Sequence, residues 1–350
     1  MSDNTHIEWA DATVNAINGC SVTSPGCTHC YAMKLAGTRL RDHPTRNGLT
    51  TMTKAGPVWN GKVRLHEPAL LQPLKWKRPR RILWNAHGDT FHDSVPDAWI
   101  DRVFAVAALT PQHTHMILTK RSKRMREYLT RHRWHLWAAI GREIDAKRWA
   151  KLPPIMGGDC TPVPNVWLGV SVEDQTRADE RIPDLLATPA SVRFLSCEPL
   201  LGPVSLAHIP HPKHEGMFID ALDGHSWGYT SSPLDSRSPV DWVIAGGESG
   251  PGARPMHPDW ARSLRDQCTA AGVPFHFKQW GEWLPVYDRE ATDPDWRKCS
   301  AIEQMYPGGR WLNLSGGHGF DGERVHWVHK TGKKLAGRML DGAEYNGLPA

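Results

Sequence analysis

The sequence predicts an α/β protein built on a parallel sheet that forms a complete or partial barrel. Short apolar runs rich in β-branched and aromatic residues alternate with segments of helical periodicity. The apolar runs are mostly continuous instead of alternating with polar residues, which is typical of strands buried on both faces. Six or more such strand–helix units indicate a barrel or part of one.

The predicted strands are apolar runs, each bounded by a turn or a helical segment. An opening strand is expected within residues 7–19, followed by a helix at 31–43. Ser94 is a candidate N-cap for one apolar helical stripe, and Gly272 ends another before the last strand. The later predicted strands are Arg81–Asn85, His115–Thr119, Asn165–Ser171, Val192–Ser196, Asp241–Gly246 and Pro274–Lys278.

Three segments interrupt the alternation of strands and helices. Residues about 132–164 form a Trp-rich helical insertion, and residues about 204–239 form an insertion rich in His, Pro, Ser and Asp. Residues 284–350 are polar and Gly-rich. We therefore expect one barrel domain over residues 1–283, with two insertions and a C-terminal extension. Loops of this length are usually lids or binding elements, or else disordered.

The composition favours a cytoplasmic protein whose clustered cysteines are metal or redox ligands. The 350 residues contain no continuous apolar run of the roughly 18 residues that a membrane-spanning helix needs, so no membrane partner is expected. The polar N-terminus lacks the apolar stretch of a signal peptide. In a reducing compartment, clustered cysteines bind metals more often than they form disulfides. The net charge of +5 permits a nucleic-acid partner without requiring one.

The strongest functional signal is the loop that carries Cys20, Cys27 and Cys30, spaced C-x6-C-x2-C. Three thiolates are one fewer than a closed zinc or iron–sulfur site uses. One interpretation is a zinc site completed by His29, His43 or a distant cysteine. The other is a [4Fe–4S] cluster with one iron open to a small ligand. No second C-x-x-C follows at finger-like spacing, and the loop opens a large α/β domain, which argues against zinc.

Motifs spread over nearly the whole chain resemble a known family. They are Ile7-Glu8-Trp9, Asn18-Gly19-Cys20, Ser24-Pro25-Gly26-Cys27, Cys30-Tyr31, Leu118-Thr119-Lys120-Arg121, Trp167-Leu168-Gly169-Val170-Ser171-Val172-Glu173, Glu198-Pro199-Leu200-Leu201-Gly202-Pro203, Gly246-Gly247-Glu248-Ser249-Gly250 and Phe277-Lys278-Gln279-Trp280-Gly281. The chain resembles the phage- and prophage-associated three-cysteine-motif proteins, a family without an assigned function. Members of that family resemble radical S-adenosylmethionine (SAM) enzymes, and spore photoproduct lyase, which acts on DNA, is a more distant analogue.

The resemblance implies a partial (β/α)6 barrel of the radical-SAM type, a [4Fe–4S] cluster and bound SAM. In such enzymes the cluster receives an electron from a donor such as flavodoxin or ferredoxin. Reductive cleavage of SAM then gives a 5′-deoxyadenosyl radical that attacks the substrate. The usual spacing is C-x3-C-x2-C, so the six-residue first gap departs from it, and His29 stands where an aromatic residue is usual. Nucleic-acid base modification or repair is the expected reaction, and a partner protein is an open question.

Polar residues at predicted strand ends are candidates for contacts with SAM. The resemblance suggests this role for Ser171 and Glu173, while helix capping is the alternative for Ser171. Glu248 lies in a Gly-rich turn after a buried strand, where the backbone can approach a ligand, and a plain turn is the alternative. Asn85 ends the second predicted strand, beside a group of His and Asp residues, and is expected to contact SAM or substrate.

The same strand ends supply candidates for substrate binding. Asp89 and His92 follow the second predicted strand, with a second metal or turn hydrogen bonds as alternatives. Lys120 directly follows the third predicted strand and is expected to point into the barrel. Basic clusters around residues 75–81 and 120–133 suit a phosphate backbone, although a solvated helix face has the same composition.

Two functions from different classes follow. The first is an iron–sulfur radical-SAM-type enzyme whose substrate is a nucleic acid or nucleotide. The second is a zinc-stabilised nucleic-acid-binding protein without catalysis.

Overall fold

The chain folds into two compact units in the computed structural model. The first contains Met1–Val170 and Asp184–Phe194, and the second contains Ser171–Pro183 and Leu195–Ala350. The structure describes residues 5, 7–131, 133–152, 162–228, 238–289, 296–317 and 325–349.

Strands and helices alternate through most of the described residues, as the apolar runs predict. The strands are β1 (Ala12–Val14), β2 (Ile17–Asn18), β3 (Thr50–Thr53), β4 (Gly56–Trp59), β5 (Arg64–Leu65), β6 (Arg81–Trp84), β7 (Thr114–Thr119), β8 (Val166–Ser171), β9 (Val192–Cys197), β10 (Ile209–Pro210), β11 (Met217–Ile219), β12 (Ser226–Gly228), β13 (Trp242–Gly246), β14 (Phe275–Gln279), β15 (Trp283–Arg289), β16 (Arg310–Leu312) and β17 (Val325–Lys330).

The helices between these strands vary from one turn to about four turns. They are α1 (Tyr31–Gly37), α2 (Glu67–Leu70), α3 (Asp97–Ala108), α4 (Ser122–Leu129), α5 (Trp134–Trp149), α6 (Gln175–Leu186), α7 (Pro258–Ala271), α8 (Trp296–Met305) and α9 (Lys333–Ala336). No helix within the described ranges is long and apolar enough to cross a membrane.

The main sheet has seven strands in the order β1-β6-β7-β8-β9-β13-β14. The pairs β1–β6, β6–β7, β7–β8 and β13–β14 are parallel. Its inner strands are almost wholly buried, which explains why their sequences lack polar alternation. The predicted α/β fold with a parallel sheet is therefore confirmed. Because the strands are parallel, their carboxyl ends lie along one edge of the sheet, where α/β proteins place their binding sites.

The sequence predicted the end of one helix correctly and the start of another incorrectly. Helix α7 ends at Gly272, which adopts a left-handed conformation with φ of +69°, as a glycine cap allows. Helix α3, in contrast, begins at Asp97 with Pro96 at the N-cap position, so the prediction of Ser94 as the cap is wrong. The fixed φ of Pro96 and the carboxylate of Asp97 in the first turn are sufficient start signals.

The segments predicted as insertions and extension contain regular structure of their own. Helix α5 lies in the first insertion, and strands β10, β11 and β12 form a small antiparallel sheet in the second. The C-terminal extension contributes an antiparallel sheet in the order β15-β17-β16. In that sheet, Leu312 and Val328 pack with Trp283 and Ala253 in a small apolar core.

Candidate functional site

The cysteine loop begins where the first strands meet the end of β6. Gly19 forms a parallel bridge with Gly88, and its N–H donates to the carbonyl of His87 at 3.1 Å. Gly19 has φ of +95°, and a Cβ atom there would lie 2.1 Å from the carbonyl oxygen of Lys62. Only glycine fits both constraints, so this residue determines how the chain enters the loop. The loop ends at Cys30, the residue before α1.

The three loop cysteines are free thiols in different surroundings. Cys27 is buried, and Cys20 and Cys30 are half-buried and pack against an apolar cluster that includes Trp59. Burial raises the pKa of Cys20 to about 12, and the charge of Asp89 acts in the same direction. Burial is also the main reason why the pKa of Cys30 is raised.

Cys27 differs from the other two cysteines because its pKa is lowered. Burial alone would raise that pKa, but two influences outweigh it: hydrogen bonds from the Thr23 and Ser24 backbone, and the positive charge of Lys120. Cys27 is therefore the cysteine of the three that loses its proton most readily, and the thiolate is the form that binds metals.

Arg121 connects the cysteine loop to the strand ends. Its Nη1 donates to the Sγ atom of Cys20 at 3.3 Å and to Oδ2 of Asp89 at 2.9 Å. Its Nη2 donates to the carbonyl oxygen of Ser21 at 3.0 Å and to its hydroxyl at 2.8 Å. The side chains of Arg121 and Asp89 are only 7% and 6% exposed, so water screens this ion pair weakly.

Asp89 is held in place by donors from two neighbouring strand ends. Its Oδ1 accepts from the Thr119 hydroxyl at 2.7 Å and from the Phe91 amide at 2.9 Å. Its Oδ2 accepts from the Lys120 amide at 3.1 Å as well as from Arg121. This carboxylate therefore fixes the geometry between the ends of β6 and β7, and through Arg121 it fixes the cysteine loop.

His92 contacts the cysteine loop directly. Its Nδ1 accepts a hydrogen bond from the Ser94 amide at 3.1 Å, which leaves the ring proton on Nε2. Nε2 then donates to the hydroxyl oxygen of Ser21 at 2.9 Å. The pKa of His92 is lowered, by burial first and by the charge of Arg121 second, so the ring is neutral near pH 7.

Asn85 is buried directly after β6 and holds neighbouring backbone segments together. It adopts a left-handed conformation with φ of +56° and is 3% exposed. Its Oδ1 accepts from the Ile17 amide at 2.8 Å, and its Nδ2 donates to the Thr90 hydroxyl at 2.8 Å. Both ends of the amide side chain are thus engaged in joining β2 to the turn after β6.

The predicted site residues Ser171 and Glu173 belong to the second unit. Glu173 is fully buried and forms an ion pair with Arg181 at 2.9 Å, and Arg181 also donates to the carbonyl of Ser171. Helix α6 is capped by Asp174, whose Oδ1 accepts from the Arg177 amide, so the alternative that Ser171 caps the helix is wrong.

Glu248, also in the second unit, is paired with Arg254. Its Oε1 accepts from Nη2 of Arg254 at 2.7 Å, and its Oε2 accepts from Nε at 2.9 Å. Both carboxylate oxygens are therefore occupied by a bidentate arginine in this conformation.

A cavity of about 300 Å³ lies beside Arg121 in the first unit. Four cationic and three acidic side chains contribute to its lining, and several of the cations have carboxylate partners. Arg131 pairs with Asp97 at 3.0 Å, and Arg124 pairs with the same carboxylate at 3.2 Å. The basic cluster at 120–133 is thus partly neutralised within the protein, and nucleic-acid binding stays a prediction.

Among the described residues, one group has three ligand atoms within 4.8 Å of one another, and it consists of His257, Asp259 and His326. The three loop cysteines do not form such a group in this conformation. Both centres expected from the sequence, zinc and a [4Fe–4S] cluster, therefore stay predictions.

Two contacts in this site were not anticipated from the sequence. Arg121 was one of many basic residues, and Ser21 was an unremarked loop residue. The signal for Arg121 is its position, since it follows the strand-end residues Thr119 and Lys120. His87, in contrast, has a partner outside the cysteine loop: its Nδ1 accepts from Arg46 at 2.8 Å.

Comparison with known proteins gives a family but no activity. A family model described as "Protein of unknown function (DUF5131)" matches residues 4–349. Neither the curated proteins nor the solved structures include a match to the chain.

Proposed function

The chain belongs to the DUF5131 family, and we propose that it is an iron–sulfur enzyme of the radical-SAM type. The proposed centre is a [4Fe–4S] cluster held by Cys20, Cys27 and Cys30, with one iron open to SAM. A radical-SAM-like arrangement of the seven-stranded sheet, and the link to phage-associated proteins, form part of the same proposal. A nucleic acid or nucleotide is the proposed substrate.

The observation that carries this proposal is the hydrogen bond from Arg121 to the sulfur of Cys20. It connects the cysteine loop to the ends of β6 and β7 through Asp89, at the edge of the sheet where ligands bind. A cysteine loop that only stabilised the fold would not need a buried ion pair directed at one of its sulfurs. The arrangement is better suited to a reactive centre.

The chain's own residues would bind the cluster, orient it and balance its charge. When bound, the cluster with SAM supplies a one-electron cleavage that produces a carbon radical. The lowered pKa of Cys27 favours the thiolate form, which is the form that would bind the cluster. Arg121 and Lys120 place positive charge next to the loop, which offsets the negative charge of the thiolates. Burial of Arg121 and Asp89 limits the access of water.

The cavity beside Arg121 supports an anionic substrate. Arg121, Lys123, Arg124 and Arg131 contribute to its lining, which also includes Asp93, Asp97 and Glu127. Phosphate groups are the anions that arginine clusters bind most commonly in proteins. A nucleotide or a nucleic-acid strand is therefore the substrate class that we propose, with an electron donor such as flavodoxin or ferredoxin as a further partner.

Anaerobic purification followed by iron, sulfide and zinc analysis tests the proposal. We expect about four irons per chain and a broad absorption band near 400 nm, as thiolate-bound clusters show. Ser substitutions at Cys20, Cys27 and Cys30 should each remove iron. Cys268→Ser is the matched control, because Cys268 is a buried free thiol on α7, outside the loop. A colourless protein with one zinc per chain would support the zinc-stabilised alternative instead.

A second experiment tests the reaction type. The reduced cluster-containing protein is incubated with SAM and dithionite, and 5′-deoxyadenosine is measured. Release of 5′-deoxyadenosine, or a change in the cluster's electron paramagnetic resonance spectrum on adding SAM, is expected. If neither occurs in protein with a full complement of iron, the chain is an iron–sulfur protein of another class.

A further inference from the structure

A second group of metal-binding side chains lies in the second unit, in residues that the proposed reaction does not use. His257 immediately precedes α7, Asp259 lies in its first turn, and His326 lies on β17. Each offers one ligand atom, and the three atoms lie within 4.8 Å of one another. His257 and His326 are 0% and 1% exposed. Two buried imidazoles therefore lie close to one carboxylate.

From this arrangement we infer that His257, Asp259 and His326 form a binding site for a divalent transition-metal ion of the zinc class, separate from the cysteine loop. Imidazole and carboxylate ligands in a set of three are typical of zinc sites that keep one position for water or a small anion. The site would join helix α7 to the C-terminal strand β17.

The distance between His326 and Asp259 fits a shared metal ion as well as a long hydrogen bond. His326 Nε2 and Asp259 Oδ2 are 3.4 Å apart, longer than the 2.7–3.2 Å of a good N–H···O bond. Zinc–nitrogen and zinc–oxygen bonds of about 2.0–2.1 Å in a tetrahedron put neighbouring ligand atoms about 3.4 Å apart. The two atoms therefore already stand at the separation that a shared zinc ion requires.

The orientation of the two imidazole rings and the contacts of Asp259 are also compatible with a shared metal ion. The imidazole rings of His257 and His326 are perpendicular, at 89°, with centroids 4.5 Å apart. Asp259 Oδ1 accepts a hydrogen bond from Arg262 at 2.7 Å, which orients the carboxylate with Oδ2 toward His326. An outer partner of this kind is what orients ligands in known metal sites.

The electrostatics of the site select the type of metal. Only one ligand is negatively charged, and both the N-terminus of α7 and Arg262 contribute positive potential. Magnesium and calcium depend on several anionic oxygens and would be held poorly here. Imidazole nitrogens suit zinc, copper, nickel and cobalt, so a transition metal is the expected occupant.

A cavity of about 290 Å³ gives the ion a route of entry. His326 and Arg262 contribute to its lining, together with Trp280, Tyr287 and Asp341. A metal site needs such a path, and the cavity can also hold the water or small anion that completes the coordination.

Metal binding and helix capping compete at His257. Its Nδ1 accepts a hydrogen bond from the Asp259 amide at 3.1 Å. Coordination through Nδ1 uses the same lone pair, and coordination through Nε2 requires the proton on Nδ1, so either mode ends this bond. A substitution that keeps the cap and removes the ligand therefore separates the two roles.

The test is metal titration of the full-length protein after chelator treatment. Calorimetry with Zn²⁺ measures stoichiometry, and Co²⁺ absorption reports the ligand type. Because free thiolates bind these ions too, both are measured in a full-length variant with Cys20→Ser, Cys27→Ser and Cys30→Ser. We expect one equivalent of Co²⁺ with ligand-field bands and no thiolate-to-cobalt charge-transfer band. Mg²⁺ should give no binding heat.

The variants His257→Asn and His326→Gln should each lose this equivalent. Asn is a good N-cap, so His257→Asn preserves the end of the helix while removing an imidazole. His329→Gln is the matched control, because His329 is also on β17 but is not in the group, and it should bind as tightly as the parent. If the triple-cysteine variant fails to fold, the same comparison in the wild-type background should show one zinc equivalent fewer.

The inference is overturned if His257→Asn and His326→Gln bind zinc as tightly as the parent protein. It is also overturned if the bound Co²⁺ shows only thiolate ligation. Neither result affects the proposed iron–sulfur centre, which uses different residues and is tested by iron content.

Discussion

The guanidinium group of Arg121 lies 3.3 Å from the sulfur of Cys20, although the two residues are 101 positions apart in the sequence. The same nitrogen donates to Asp89 at 2.9 Å, so the sulfur and the carboxylate share one cationic donor. A buried cation next to a cysteine sulfur stabilises negative charge there. This contact therefore places a positive charge next to the sulfur of Cys20.

If Cys20 binds the proposed cluster, Arg121→Gln should make that cluster harder to reduce. Hydrogen bonds to cluster sulfurs raise the reduction potential because they stabilise the more negative reduced state. Loss of one charged hydrogen bond costs about 1.5–3 kcal/mol, which corresponds to at most about 65–130 mV for a one-electron couple. Redox titration of the anaerobic protein should show a shift to more negative potential. Arg121→Lys, which keeps the charge, should show a smaller shift.

Arg131→Gln is the matched control for Arg121. Arg131 lines the same cavity but pairs with Asp97 at 3.0 Å, and it is more than half exposed. Its loss should leave the potential unchanged. Equal shifts in the Arg121 and Arg131 variants would show that the contact with Cys20 has no specific effect.

Gly19→Ala should prevent the cysteine loop from forming. The new Cβ would lie 2.1 Å from the Lys62 carbonyl oxygen, in a backbone conformation that costs about 1–3 kcal/mol by itself. We expect the free energy of unfolding to fall by about 3 kcal/mol or more and iron binding to be lost. Chemical denaturation and iron analysis measure the two effects.

Gly48→Ala separates backbone strain from the steric clash. Gly48 has φ of +75°, but no atom lies within 4 Å of the place where its Cβ would be. This variant should lose only about 1 kcal/mol and keep its iron. A Gly19→Ala protein no less stable than Gly48→Ala would mean that the entry to the loop can shift without cost.

The sequence predicted the strands and helices better than the contacts between their side chains. The buried strands were recognisable because a continuous apolar run indicates a buried strand without knowledge of which strand it pairs with. The observed strands that overlap the predicted runs are β6, β7, β8, β9, β13 and β14. The position of the cysteine loop between the first strands and α1 followed from the same pattern. Local sequence is sufficient for such features because they depend on neighbouring residues.

The contacts that define the two sites depend on residues far apart in the chain. Nothing near Arg121 indicates which of the nearby basic residues will reach Cys20. Likewise, His326 meets Asp259 from 67 positions away because β17 pairs between β15 and β16. Antiparallel pairing in a polar, Gly-rich segment has no strong signal in the sequence, so this group of side chains could not be predicted.

His115 should make the protein less stable as the pH falls. The ring is fully buried, and burial lowers its pKa to about 3. Its Nδ1 accepts from the Trp84 indole N–H at 2.9 Å, and Nε2 lies 2.9 Å from the Thr110 hydroxyl. A second ring proton would face the indole N–H and break this network.

The free energy of unfolding depends on pH because His115 has different pKa values in the folded and the unfolded chain. The unfolded chain binds a proton at the ordinary pKa near 6.5, and the folded protein resists it down to about 3. The free energy of unfolding should therefore fall below pH 6.5, with a slope of up to about 1.4 kcal/mol per pH unit from this group. Denaturation at several pH values measures the slope, and His115→Gln should reduce it. An unchanged slope would assign the acid sensitivity to other groups.

Glu173→Gln tests whether this carboxylate maintains the fold. Glu173 is 0% exposed and pairs with Arg181, whose side chain is 5% exposed. Neutralising one member of a buried pair leaves the other charge without compensation, so we expect a loss of about 3–5 kcal/mol in the free energy of unfolding.

Glu180→Gln is the control, because Glu180 lies on the same helix as Arg181 and is half exposed in its pair with Arg177. That variant should change stability by no more than about 0.5 kcal/mol. If Glu173→Gln is as stable as the parent but binds SAM more weakly, the carboxylate serves the cofactor, as the sequence suggested, instead of the fold.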